Sequence, residues 1–159
     1  MFIFAHIGIT ALFAFFLSLS PLTAAFTCLI PDLIDKPLNI IGLAPISRFI
    51  GHTLFMVFLT GIVFYLITRK KVISISAAFG VFIHLIEDSG FIPWLFPFKK
   101  YVFPVKAFKF RYTLFLFITD MIGIIILIIL YKKDGGFRRE VLKFFNEIKS
   151  FFTFSIKHK

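Results

Sequence analysis

No lysine, arginine, aspartate or glutamate occurs from Met1 to Pro31, and three later apolar runs each approach or exceed the roughly 18–20 residues that a helix needs to cross a bilayer. A chain of 159 residues with 26 phenylalanines and 59% hydrophobic content has too much apolar surface for a soluble fold of its size to bury. A mean hydropathy of +0.96 points the same way. The sequence therefore predicts an all-α, polytopic helical membrane protein with about four to five membrane-embedded helices and a C-terminal amphipathic helix. Residues 1–134 read as the membrane domain and residues 135–159 as a basic amphipathic tail.

Local signals divide the apolar runs. Ser18, Ser20 and Pro21 interrupt the first one, and Pro21 disfavours helix at the residue before it. A first helix over about 3–18 and a short partial return over about 21–30 are expected. Residues 31–48 hold three prolines, a glycine and four charges, which reads as a loop at one membrane face. A third helix is expected at about 49–68, stopping at Arg69, Lys70 and Lys71, and a fourth at about 72–89. Residues 91–111, with Trp94, Tyr101, Pro93, Pro97 and Pro104, read as an interfacial loop with an aromatic belt, followed by a fifth helix over about 112–131. In the tail, Phe137, Val141, Phe144, Phe145, Ile148, Phe151 and Phe152 recur at helical spacing between basic residues. Such a helix lies on a membrane surface or packs against the membrane domain.

The formal charge of +10 does not imply nucleic acid, because the basic residues flank apolar runs, where snorkelling and anionic headgroups account for them. The expected partners are membrane lipids and a small-molecule or lipid substrate. Eleven bases fall on the face of the tail and seven on the other, so the positive-inside rule leans toward a cytoplasmic tail in a multi-pass protein of the cell or inner membrane. Met1 to Ala5 is wholly apolar and lacks the charged start of a signal peptide, so the first helix reads as retained. Cys28 has no second cysteine to pair with, which rules out an intrachain disulfide or a thiolate metal shell.

Ionisable groups inside apolar spans cost several kcal/mol unless they are paired, hydrated or metal-bound. His6, Asp32, Asp35, His52, His84 and Asp88 all fall at one membrane face if the first two helices form a hairpin. They are the candidate metal ligands. His84 and Asp88, four apart, share one helical stripe and can hold one ion or one another. Imidazole and carboxylate without thiolate suit a divalent ion, zinc foremost, with manganese and iron as alternatives. Taken singly, His84 also reads as a hydrogen-bonded core histidine, and Asp32 and Asp35 as turn or cap residues beside Pro31. Asp120, near mid-depth of the fifth helix, either orients a ligand histidine or bonds a neighbouring helix.

The order His6, Pro31-Asp32-Leu33-Ile34-Asp35, Arg48 with His52-Thr53, and His84-Leu85-Ile86-Glu87-Asp88 resembles the family of membrane-bound metal-dependent hydrolases, the YdjM-like inner-membrane proteins. More distantly it is similar to zinc-dependent phospholipase C. The family often carries His-Arg-Gly followed by Thr-His-Ser; here Ser47 stands at the first histidine and Gly51 precedes His52. The resemblance implies metal-dependent hydrolysis, read here as acting on a phosphate ester or phospholipid at the membrane surface. Asp32 or Glu87 would take a proton from metal-bound water and Arg48 would hold a phosphate oxygen. The rival reading is a metal or proton transporter using the same His/Asp cluster.

Overall fold

The computed structural model describes residues 3–88, 91–103 and 113–157. Among them are seven helices and no strand: α1 (Ile3–Phe16), α2 (Pro21–Thr27), α3 (Ile30–Ile40), α4 (Leu54–Thr68), α5 (Lys71–Glu87), α6 (Leu114–Lys133) and α7 (Gly135–Lys157). The break after α1 falls where Ser18 takes a positive φ of 55° and Ser20 caps α2, accepting from the Thr23 amide at 3.3 Å ahead of Pro21. The α4–α5 connection turns through Arg69 in the left-handed region. Thr53 and Thr113 cap α4 and α6 in the same way as Ser20 caps α2.

One expected loop is a helix. Residues 30–40 form α3 because Pro31 sits in the first turn, where a missing N–H costs nothing, and only Pro37 removes an internal hydrogen bond. The stripe Pro31, Asp35, Asn39 is buried while Leu33 and Ile40 are exposed, so the polar side of this helix faces inward. The true loop is residues 41–53, which opens at Gly42 (φ 79°), and α4 begins five residues later than its composition suggested. Residues 91–103 are irregular and aromatic: Phe49 packs on Phe96 and Phe103 with ring centroids 4.9 and 5.2 Å apart. The remainder of the expected interfacial loop, including Pro104, Lys106, Lys109 and Arg111, lies outside the described residues.

The interior is built from small and polar residues, among them Ala5, Ala11, Ala14, Ala24, Ala77, Thr10, Ser76 and the histidines. Phenylalanine, isoleucine and leucine point outward along α1, α4 and α6. In water such a surface would aggregate; against lipid it is the favoured arrangement. Helix backbones meet at glycines. A Cβ on Gly123 of α6 would lie 2.1 Å from the Phe4 carbonyl of α1, and one on Gly80 of α5 would lie 2.3 Å from the Ala24 carbonyl of α2. By length and composition α6 is the one described helix that can cross a membrane alone; α1 and α4 are apolar but shorter. The expectation of four to five membrane-embedded helices thus reduces to one helix of spanning length plus shorter apolar ones.

The first half of α7 docks on the body. Phe137 is buried against Ala11, Ala25 and Leu130, and Phe144 meets Phe26 with centroids 4.9 Å apart. Ser20 Oγ donates to the Glu140 carboxylate at 3.0 Å. Of the two surfaces open to this amphipathic helix, at least its first turns use the protein.

Candidate metal centre

Close packing at the two glycines brings the start of α1 beside the end of α5, and α3 with the 41–53 loop closes over them. His6, Asp32, Asp35, His52, His84, Glu87 and Asp88 are thereby gathered at one end of the bundle. Asp35 is fully buried and accepts from the amides of Phe49 (2.5 Å), Gly51 (2.8 Å) and His52 (3.2 Å), so the inward polar stripe of α3 organises the loop. Gly51 is required there: a Cβ would meet the Pro31 carbonyl at 2.8 Å.

The same carboxylate takes His52 Nδ1 at 2.8 Å. Because a carboxylate only accepts, Nδ1 carries the proton, and Nε2 is left facing the cluster. His52 Nε2 lies 3.2 Å from His84 Nε2, 3.3 Å from Asp88 Oδ2 and 3.7 Å from Asp32 Oδ1. One ligand atom from each of Asp32, His52, His84 and Asp88 falls within 4.8 Å of all the others, and the group can hold a metal ion. The donor set fits one. Two imidazole nitrogens bound tetrahedrally at about 2.0–2.1 Å stand roughly 3.3 Å apart, close to the His52–His84 spacing, and two nitrogens with two oxygens suit zinc, manganese or iron.

His6 repeats the pattern of His52 on the other side of Asp88. Its Nδ1 meets Glu87 Oε2 at 2.5 Å and its Nε2 lies 3.6 Å from Asp88 Oδ1 with no hydrogen-bond partner. Its ring packs on His84 at 4.3 Å between centroids. His84 Nδ1 is likewise buried without a partner. Arg48 reaches across from the 41–53 loop, with Nε 2.6 Å from Asp88 Oδ2 and the side chain 31% exposed. Asp32 is bridged by Lys36, its i,i+4 neighbour, a pairing that the sequence spacing alone signals. Asp120 accepts from the Ala5 amide at 2.9 Å and so fixes the backbone next to His6.

Burial alone would raise the Asp88 carboxyl, but His52 and Arg48, with nitrogens 3.3 and 2.6 Å from Oδ2, and the nearby His6 ring hold it well below the usual carboxylate range. Burial lowers the His52 imidazole, and its bonds to Asp35 and Asp88 more than reverse this and raise it. A proton on His52 and a divalent ion therefore compete for the same lone pair.

Residues 1–154 match the model of one protein family, described as YdjM inner membrane protein. The chain belongs to that family. Membership makes it a membrane protein, in agreement with the outward-facing apolar surface. The match carries no reaction with it and lends no support to the hydrolase label or to the likeness to phospholipase C. No curated protein and no solved structure matches the chain.

Proposed function

We propose that the chain is a membrane-embedded, metal-dependent hydrolase of phosphate esters, acting at the membrane surface on a substrate such as a phospholipid. The observation that carries this reading is the buried group of two Nε2 atoms and two carboxylates within 4.8 Å, with an arginine on its rim. Asp32, His52, His84 and Asp88 would hold a divalent ion, which when bound supplies a water acidic enough to lose its proton near neutral pH. Asp35 positions His52 rather than ligating: its carboxylate is on Nδ1, on the far side of the ring from Nε2. Glu87 does the same for His6, whose Nε2 has no hydrogen bond and is the group best prepared to take a proton. That moves the base from Asp32 or Glu87, the sequence-level candidates, to His6. Arg48, engaged on Asp88 through Nε, keeps two further nitrogens with which to hold a phosphate oxygen.

The site lies at the end of the bundle where Asp120 meets Ala5, and the tail leaves α6 from its other end. With the basic tail in the cytoplasm, the site opens on the opposite face, and α1, α4 and α5 are embedded beside α6. Transit of a cation through the bundle is disfavoured. Below the histidines α2 and α5 meet backbone to backbone at Ala24 and Gly80; the Thr27 hydroxyl is spent on its own helix, and the Ser76 hydroxyl donates to Val72 O and accepts from the Ser20 amide.

Arg48→Lys separates the two readings. A point charge keeps the site's electrostatics but not the planar fork, so metal content should stay while kcat/KM toward phosphoester or phospholipid substrates falls roughly ten- to hundredfold. Unchanged turnover would remove Arg48 from the reaction. Wild-type protein that cleaves no phosphoester but carries metal into proteoliposomes would establish the transporter instead.

A further inference from the structure

A cavity of about 520 Å³ lies between α1, α2, α6 and α7, on a different stripe of α1 from His6 and Thr10. Ile7, Leu22, Ala25, Leu127, Val141 and Phe144 are among the residues that line it. Its lining on α6 runs from Ile124 to Lys132, about 12 Å of helix. The slot cannot simply close, because α7 is fixed on α2 through Glu140 and Phe144 and seated by Phe137, while α1 and α6 are locked together at Gly8 and Gly123.

Lys132 is the charged residue among the described lining; Lys133, Arg138 and Arg139, all exposed, follow it within seven residues, with Asp134 between them. An apolar slot of this size with a lysine in its lining is complementary to one molecule of the surrounding solvent: an anionic phospholipid with an acyl chain in the slot and its phosphate on Lys132. We propose that this cavity binds one acyl chain of an anionic membrane phospholipid and that the lipid completes the docking of α7. The proposal is independent of the metal centre and requires no hydrolysis.

Native mass spectrometry of the full chain, extracted from vesicles of equal parts phosphatidylglycerol and phosphatidylcholine, tests it. The expected result is about one retained phosphatidylglycerol per chain in clear preference to phosphatidylcholine. Lys132→Gln should remove the preference, since it deletes the charge of the lining at an exposed position without touching the core. Ala25→Phe should remove both lipids by filling the slot, and Val141→Trp, which fills it from the α7 wall, gives the same readout if the buried alanine does not tolerate the change. Equal retention of the two lipids by wild type, a preference intact in Lys132→Gln, or retention unchanged in Val141→Trp would each overturn the proposal.

Discussion

Asp35→Ala should cost about 3–5 kcal/mol in stability and weaken metal affinity about tenfold to hundredfold, the largest single-residue effect expected in the molecule. One buried carboxylate accepts from three backbone amides and from His52 Nδ1, at distances from 2.5 to 3.2 Å. Removing it leaves those donors without a partner where water has little access, and each such orphan costs about 1–3 kcal/mol. The ring of His52 also loses the bond that fixes its tautomer and aims Nε2 at His84. Asp35→Asn should recover little, because its amide nitrogen would face donors. Thermal unfolding in detergent and metal titration check both parts. A melting temperature within error of wild type would mean that the 41–53 loop is held by something else.

Gly80→Ala should be nearly as damaging, about 3 kcal/mol, the upper end for overpacking, although it adds only a methyl group. The new Cβ would stand 2.2 Å from Thr27 Oγ1 and 2.3 Å from the Ala24 carbonyl. Thr27 is anchored on Thr23 O and the Ala24 carbonyl is backbone, so α2 and α5 must separate. His84 is one turn further along α5 and moves with it, so metal affinity should fall together with stability. Gly61→Ala is the control: its nearest neighbour is the Ala78 side chain at 3.2 Å, and a smaller loss is expected. Equal losses in the two variants would show that the α2–α5 contact is not the one that positions the site.

How much of this could be read from the sequence follows from which forces are local. The helix break at Ser20 and Pro21 and the stop after Thr68 are set within a few residues, and each was legible; Asp88, expected on one helical stripe with His84, is instead the extended C-cap that follows α5. The gathering of His6, Asp32, His52 and His84 at one end follows from chain reversals after α1 and at Arg69, both of which carry local signals. Helix α3 was not legible, since counting prolines and charges ignores where they fall: Pro31 in a first turn is harmless and Asp35 lies on the buried stripe. Partner assignments were least accessible. That Glu87 serves His6, that Arg48 leans on Asp88, and that Asp120 meets the Ala5 amide depend on long-range packing at Gly8–Gly123 and Gly80–Ala24. Only the Asp32–Lys36 pair carried a local signal that went unused.

Elemental analysis of the purified full chain in detergent tests the metal centre most directly. About one divalent transition metal per chain is predicted for wild type, falling to background in His84→Ala/Asp88→Ala, which deletes half of the four-residue group while far-ultraviolet circular dichroism confirms that the helices remain. Metal-free wild-type protein, or an unchanged metal content in the folded double variant, would contradict the account.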